Sequence, residues 1–513
     1  MPNTKSLPET DDLHNLFHQM LKFKHLIETE ARQLIYEFPH SQTQTDNLLS
    51  LINMMHYVAM RRHAVHNLQS QLAQAGLSSL GRIEPHVLTT IVSVLNILSK
   101  ATQQETYTAR LPDNTIDYQQ GYKILKARAQ RLFGSKPASR TEYIMVTIPS
   151  EAADQSDWFD AMFAAGMNCA RINCAHDSVE IWQKMVDQIH AYCRANQVQC
   201  PIMMDLAGHK IRTANVLPTP ERQDFHKGTL KAPRIFLKDW LLLRGQTTEK
   251  GFNFNQFSKP IAVVFNCSYP PVIDKLNLGE MVWIDDGKIG TVVKAITEEG
   301  VLLQVTQVGP KGVRLKPEKG LNLPQTDLQL PALSQKDHAD LQFICQHADL
   351  VALSFAETAD DILYLQQQLQ HLNRADLPII AKIETPKAVV NLPKIIATAL
   401  ANNLDFGVMI ARGDLAVELG SVQMAETQDA LLRLCESAHI PIIWATQVLE
   451  TLAKKGVVSR PEISDAAMSQ RSECVMLNKG PFIIEAVRIL SEVLHRMEHT
   501  QYKSHTHLPI LKW

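Results

Sequence analysis

The sequence predicts an α/β chain built on a closed (β/α)8 barrel of the TIM type, and three observations carry that expectation. From Thr141 onward, short apolar runs rich in β-branched residues alternate with helix-length segments, the pattern of a parallel sheet. Eight such runs occur, the number that closes a barrel. The stretches that contain them, 140–213 and 320–500, together hold roughly 250 residues, the usual size of this barrel. An open doubly wound sheet is the alternative, and no G-x-G-x-x-G fingerprint supports it.

Taken in order, residues 1–135 read as an N-terminal all-α domain. No glycine precedes Gly76, and apolar residues recur at helical spacing: Leu13, Leu16, Phe17, Met20, Leu21 and Ile27, then Leu48, Leu51, Ile52, Met55 and Val58. A third apolar helix is expected over Val87–Leu98, where Pro85 suits a helix start. Leu111–Asn114 and Gly134–Pro137 read as linker. The barrel strands are then expected at Tyr143–Ile148, Asn168–Asn173, Pro201–Asp205, Leu350–Phe355, Pro378–Glu384, Phe406–Ala411, Pro441–Thr446 and Cys474–Leu477. A helix-length segment follows each but the third. There the chain departs for residues 214–319, whose alternating stretches and turns at Asp286-Gly287 and Glu299-Gly300 predict a small inserted β-barrel-like domain. An insertion at that end of a strand lies over the face where barrel enzymes keep their sites, so it is placed to act as a lid.

Composition narrows the function classes. The chain is 45% hydrophobic and 20% charged with a formal net charge of −2, which argues against a nucleic-acid or membrane-surface protein. The eight cysteines form no C-x-x-C pair and several sit in apolar runs, so reduced thiols are expected rather than disulfides. The Cys169, Cys174, His176 grouping is a weaker alternative as a metal site. No signal core or membrane-length run appears, and a cytoplasmic location is the expectation.

The residues that carry chemistry gather at strand ends. In Lys382-Ile383-Glu384 the period of two puts an ammonium and a carboxylate on one face. The next strand ends Ala411-Arg412-Gly413-Asp414, adding a second carboxylate at the same rim. Two carboxylates with open oxygen positions suit Mg2+ or Mn2+. A structural ion pair is the plainer reading of a lone K-x-E, and position in the barrel decides against it. The second strand ends Arg171-Ile172-Asn173, and Arg171 offers a planar fork for a phosphoryl group. After Asp205, the run Leu206-Ala207-Gly208-His209-Lys210-Ile211-Arg212-Thr213 sets three basic side chains together, a phosphate-binding loop or a solvated one.

In order, these segments resemble the pyruvate kinase family. Its R-L-N-F-S-H-G stands here as Arg171–Asp177, its D-x-K-G-P-E-I-R-T as Asp205–Thr213, and its I-D-D-G is intact at Ile284–Gly287. K-G-V-N-L-P becomes Lys319–Pro324, L-P-A-L-S-x-K-D stands at Leu330–Asp337, and S-K-I-E-N becomes Ala381–Thr385. Met409–Glu418 and Ala445–Glu450 match the remaining two runs, so the resemblance spans about 140–490. It implies transfer of the phosphoryl group of phosphoenolpyruvate to ADP. Glu384 and Asp414 would then hold Mg2+ or Mn2+, while Lys382 and Arg171 stabilise the phosphoryl group. Ala411, Arg412 and Gly413 would line the small-acid pocket, and Thr446 would assist protonation of the enolate. Arg212, Lys319, His176 and Asn173 would face the nucleotide.

Departures from the family pattern add expectations. Asn173, Asp205 and Leu206 are the remnant of a family potassium site, but its serine is Ala175 and the nearby glutamate is Lys210. A tethered ammonium in place of a bound cation implies activity without K+. Ala207, the shortened Thr147–Ser150 and Asn478–Gly480 also depart from the family pattern, and Asp177, where the family has a glycine, alters the nucleotide side. After Met497 only a short polar tail follows, so regulation through the family's C-terminal domain is not expected. Two alternatives stand beside the kinase: a pyruvate aldolase-type, metal-dependent enolate enzyme, and a non-catalytic regulatory barrel. Homo-oligomerisation through residues 1–135 is a further expectation.

Overall fold

The computed structural model describes residues 10–39, 42–104, 107, 110–226, 229–245, 259–498, 500–503 and 505–506. The N-terminal segment 1–9 and most of the tail beyond 503, both read above from sequence, lie outside them.

Eight parallel strands close the barrel: β1 (Tyr143–Thr147), β2 (Cys169–Asn173), β3 (Ile202–Asp205), β4 (Leu350–Leu353), β5 (Ile379–Ile383), β6 (Phe406–Ala411), β7 (Ile442–Ala445) and β8 (Cys474–Leu477). Neighbours in sequence are neighbours in the sheet, and β1 pairs with both β2 and β8. The strands are almost wholly buried because the barrel interior packs one face and the surrounding helices the other.

Five helices precede the barrel: α1 (Thr10–Tyr36), α2 (Thr45–Arg61), α3 (His66–Gln74), α4 (Val87–Ala101) and α5 (Gln120–Phe133). The expected third helix begins where anticipated, after a 3-10 turn at Glu84–His86. Helices α1 to α4 lean on the barrel, and a single apolar cluster runs from Leu16, Met20, Met54 and Leu95 into the barrel's own helices. Helix α2 packs on α10 (Pro386–Ala401) and α12 (Ser421–Ser437). Asn53 ties this seam polar group by polar group. Its Nδ2 donates to Glu84 O (2.7 Å) and Ser437 O (2.8 Å), and its Oδ1 accepts from Val87 N (2.8 Å). His439 does the same from the barrel side, toward Pro85 O and Ser50 Oγ, and burial pushes its pKa down to about 3, so it stays neutral. Gly121 is required beside it, since a Cβ there would lie 2.5 Å from Pro85 O.

Helix α5 has a different task. Ala129, Leu132 and Phe133 join the side chains that fill the barrel interior, among them Met145, Met203, Met409 and Met476. The end of α5 therefore closes the barrel at its N-terminal mouth, with Tyr143 Oη donating to Gly134 O at 3.0 Å.

The insertion folds on its own core of Leu241, Val263, Phe265, Val282, Val301, Leu303 and neighbours. Its main sheet has seven strands, in the order 321–322, 281–284, 289–297, 300–308, 240–244, 261–267 and 213–218. The alternating stretches at Gly279–Ile284, Gly290–Ile296 and Val301–Val308 correspond to strands Met281–Ile284, Ile289–Thr297 and Gly300–Val308. Two crossing segments form the hinge: Thr213 N donates to Lys319 O (2.7 Å) and Leu321 N to Ile211 O (2.8 Å). Among the described residues no helix is long and apolar enough to cross a membrane.

Candidate active site

A cleft of about 460 Å³ opens at the C-terminal ends of the barrel strands, beneath the inserted domain. It is lined by Arg171, Asn173, His176, Leu206, Lys210, Arg212, Lys382, Glu384, Ala411, Asp414 and Thr446, so most residues singled out from sequence converge there.

Its floor is a cluster of four charges. Arg171, at the end of β2, donates through Nε to Asp205 Oδ2 (3.0 Å) and through Nη1 to Thr147 Oγ1 (2.9 Å), and its Nη2 pairs with the same Asp205 oxygen. Lys382 Nζ lies 3.1 Å from Asp205 Oδ1 and 3.2 Å from Glu384 Oε1, and donates to Ser354 Oγ at 2.7 Å. Two cations and two carboxylates thus neutralise one another where single charges would be costly. Burial alone would raise the Asp205 pKa, but Lys382 and Arg171 outweigh it and hold the carboxyl low. Lys382 mirrors this: burial opposes its charge, Asp205 and Glu384 restore it, and its pKa rises.

Glu384 is pushed up by burial, and by Asp414 nearby, despite Lys382 and the Phe355 N–H that donates to its Oε2 at 2.7 Å. A cation shared by Glu384 and Asp414 would relieve both burial and repulsion. Two carboxylate oxygens with the rest supplied by water or substrate is also how Mg2+ is usually held. The residues present therefore fit a divalent ion.

Asp414 stands in the first turn of α11 (Arg412–Leu419). Lys210 Nζ donates to its Oδ1 at 2.7 Å and reaches Asp286 Oδ1 of the inserted domain at 3.5 Å. Burial lowers the Lys210 pKa and Asp414 more than compensates, leaving it raised. Gly413 N donates to Thr446 Oγ1 at 2.6 Å, an approach that leaves a Cβ at position 413 only 3.3 Å from that oxygen. Thr446, Phe355 and Asp177 all border the cleft with positive φ, 64°, 54° and 64°. Such non-glycine strain, about 1–3 kcal/mol each, clusters at functional sites.

Two expected residues lie elsewhere. Arg412 does not line the cleft; its Nη2 donates to Asp465 Oδ2 (2.8 Å) and Thr446 O (2.7 Å), and its guanidinium sits 4.2 Å from the Trp444 ring centre. Its part is to brace the β7 loop. Lys319 is held in the inserted domain, 3.0 Å from Asp285 Oδ1. On the other side, burial and then Lys479 lower the His176 pKa. The cleft also contains side chains not picked out from sequence: Ser354, Asp286, Lys454 and Lys479. Ser354 had a signal, a hydroxyl directly after the apolar strand β4, one step past the Leu353–Ala381 pair and so level with Lys382.

Each oxygen of the potassium-site remnant is occupied from within the chain. Asn173 Oδ1 accepts from Ala175 N (3.1 Å), Leu206 O from Ser354 Oγ (2.7 Å), and Asp205 is taken by Arg171 and Lys382.

Fold and site together define a (β/α)8 barrel with an inserted β domain, whose centre is a lysine between carboxylates at the strand ends. The family model described as "Pyruvate kinase, barrel domain" matches residues 139–487. The chain is 30% identical over 379 residues to "Pyruvate kinase PKLR" of Rattus norvegicus, covering 71% of this chain and 61% of that one. It is 30% identical over 366 residues to "Pyruvate kinase" of Geobacillus stearothermophilus, covering 70% and 57%. The chain belongs to the pyruvate kinase family. The matched region spans about three fifths of the length of these relatives.

Proposed function

We propose that the chain transfers the phosphoryl group of phosphoenolpyruvate to ADP, giving pyruvate and ATP. The observation that carries this reading is Lys382. Its ammonium is kept charged at the cleft floor by Asp205 and Glu384, next to Arg171, where a phosphoryl group needs positive charge. In the reaction the bond between phosphorus and the enol oxygen breaks and a bond to the terminal ADP oxygen forms. The enolate left behind takes a proton at its methylene carbon.

The chain's own residues divide that work. Lys382 and Arg171 stabilise the transferring group. Ala411 and the backbone of Gly413 border the small acid, and the Thr446 hydroxyl directs a proton toward the enolate. Because Thr446 Oγ1 accepts from Gly413 N, its own hydrogen is left to point elsewhere. Arg212, His176, Asn173 and Lys319 serve the nucleotide, Lys319 from the inserted domain as it closes. A Mg2+ or Mn2+ ion held by Glu384 and Asp414 would supply positive charge to carboxylate and phosphoryl oxygens. Lys210 provides fixed charge in place of potassium, and the internally occupied oxygens of Asn173, Leu206 and Asp205 support K+ independence. A cytoplasmic location and the domain limits given above complete the reading.

The test is phosphoenolpyruvate-dependent formation of ATP from ADP with Mg2+, with Lys382→Ala as control. Turnover in the native chain and its loss in the variant are expected; no ATP from the folded native chain overturns the proposal. An aldolase-type reaction is disfavoured because the cleft keeps both Arg171 and Lys382, a guanidinium and an ammonium suited to a phosphoryl group.

A further inference from the structure

A second cleft, of about 490 Å³, lies beneath the hinge of the inserted domain, on the far side of Phe355 and Lys210 from the site just described. Both hinge segments line it, through Ile211 and Leu321, together with the return segment 323–332 and the loops after β4 and β5.

Three polar groups in this cleft are unusual. Asn322 is 4% exposed, and its Nδ2 donates to Glu418 Oε1 at 2.9 Å, which fixes the amide orientation and turns Oδ1 the other way. That Oδ1 is buried and accepts no hydrogen bond from the described residues. His209 Nε2 is likewise buried and unpartnered. Glu418 has no cationic partner within ion-pair distance among the described residues, and burial pushes its pKa up to about 7. Buried polar atoms are nearly always satisfied, so two unpartnered atoms and a carboxylate without a cation beside one cleft call for a partner.

Charge says which partner. Four carboxylates line the cleft (Glu418, Glu357, Asp327, Asp361) against two ammoniums, Lys210 and Lys387. Lys387 is spent on Asp327 and Glu357, at 3.1 Å each, and Lys210 on Asp414. Asp361 is spent on the backbone N–H groups of Glu357 and Thr358. What remains open is the Glu418 carboxylate with two acceptor-capable atoms beside apolar walls from Leu323, Leu330 and Pro386. An anion would be repelled, and a wholly apolar molecule would leave the polar groups unmatched.

We propose that this cleft is a second binding site, for a small organic cation whose ammonium meets Glu418 and Asn322 and whose apolar body lies against the hinge. Since both hinge segments form its walls, an occupant fixes the angle of the inserted domain.

Calorimetric titration of the full chain with 2-phenylethylammonium tests the site without any turnover, with 2-phenylethanol and phenylacetate as neutral and anionic probes. Saturable binding of the cation is expected, with the neutral probe at least about tenfold weaker and the anion not bound. Glu418→Gln is expected to weaken the cation about tenfold or more and Asn322→Asp to strengthen it. Melting profiles confirm that each variant is folded, and Asn322→Asp serves if Glu418→Gln is not. No saturable heat, equal binding of the neutral probe, or undiminished binding in a folded Glu418→Gln variant overturns the proposal. So does a structure with the probe in which only water meets Asn322 Oδ1.

Discussion

Lys210 Nζ donates to Asp414 Oδ1 at 2.7 Å, so the lysine after β3 rests on one of the two carboxylates that fit a divalent ion. On the proposed reading this internal cation sits where the divalent ion would bind, so the two would compete. Lys210→Met is expected to tighten Mn2+ binding by about tenfold, read by electron paramagnetic resonance in the absence of substrate. Unchanged or weaker binding shows that the ammonium does not oppose the ion.

On the proposed reading the same lysine would also set the response to monovalent cations. With Asn173, Leu206 and Asp205 oxygens all engaged internally, no ready-made potassium cage is left. Initial rates with K+ and with tetramethylammonium are expected to agree within about twofold. In Lys210→Glu the fixed charge is reversed, and K+ is expected to stimulate that variant. A many-fold K+ effect on the native chain refutes the expectation.

On the proposed reading Lys382 stabilises the phosphoryl group, and its ion pairs also hold the buried cluster together. Its removal leaves Asp205 and Glu384 facing each other with Arg171 alone to compensate. Lys382→Ala is expected to lower kcat by about a thousandfold. It is also expected to cost about 3 kcal/mol of stability, because breaking a buried pair strands a charge. Steady-state assay and denaturant titration separate the two effects. A variant as stable as the native chain would show that the cluster is not mutually dependent.

How far the sequence spoke for itself depends on what each feature rests on. The barrel strands are local apolar runs bounded by polar residues, and Lys382-Ile383-Glu384 places its two charges on one face through strand period alone. Their convergence with Arg171, Asp414 and Thr446 in one cleft follows from the barrel. Helix α5 was hidden because its apolar residues serve a hole that only the closed barrel creates, and Leu111–Asn114 and Gly134–Pro137 read as linker on either side of it. Arg412 carries a motif's charge but spends it on Asp465 and Trp444, partners fifty-three and thirty-two positions away that no local pattern marks. Glu418 and Asn322 meet only because the inserted domain folds back over α11.

Stability is expected to depend on pH through Glu142, at the start of β1. Burial pushes its pKa up to about 7, and its Oε2 has no hydrogen-bond partner among the described residues. The native state therefore binds a proton that the unfolded chain releases from about pH 4.5 upward. Unfolding free energy falls as pH rises across that interval and levels off above the folded pKa. Glu142→Gln is expected to flatten the slope and to stabilise the protein by about 2–3 kcal/mol at pH 8. Urea titrations at pH 5 and 8 decide it, and an unchanged slope in the variant rules Glu142 out.

The N-terminal helices give the last prediction. Their buried face is already used: Leu51, Met54 and Met55 of α2 belong to the apolar cluster that continues into the barrel helices, and Asn53, Ser50 and Glu84 hydrogen-bond or ion-pair to residues of 433–439. Helix α5 closes the barrel floor and must be retained. A chain beginning at residue 118 would keep that plug yet bare the faces of α10 and α12 on which α2 packs. It is expected to aggregate or melt well below the full chain, because large apolar patches do not stay in water unpaired. Light scattering and a melting profile on both chains provide the measurement. A stable, monodisperse truncation would mean that the helices sit on the barrel without supporting it, and their exposed Leu26, Tyr36 and Ile97 would then mark a surface for assembly instead.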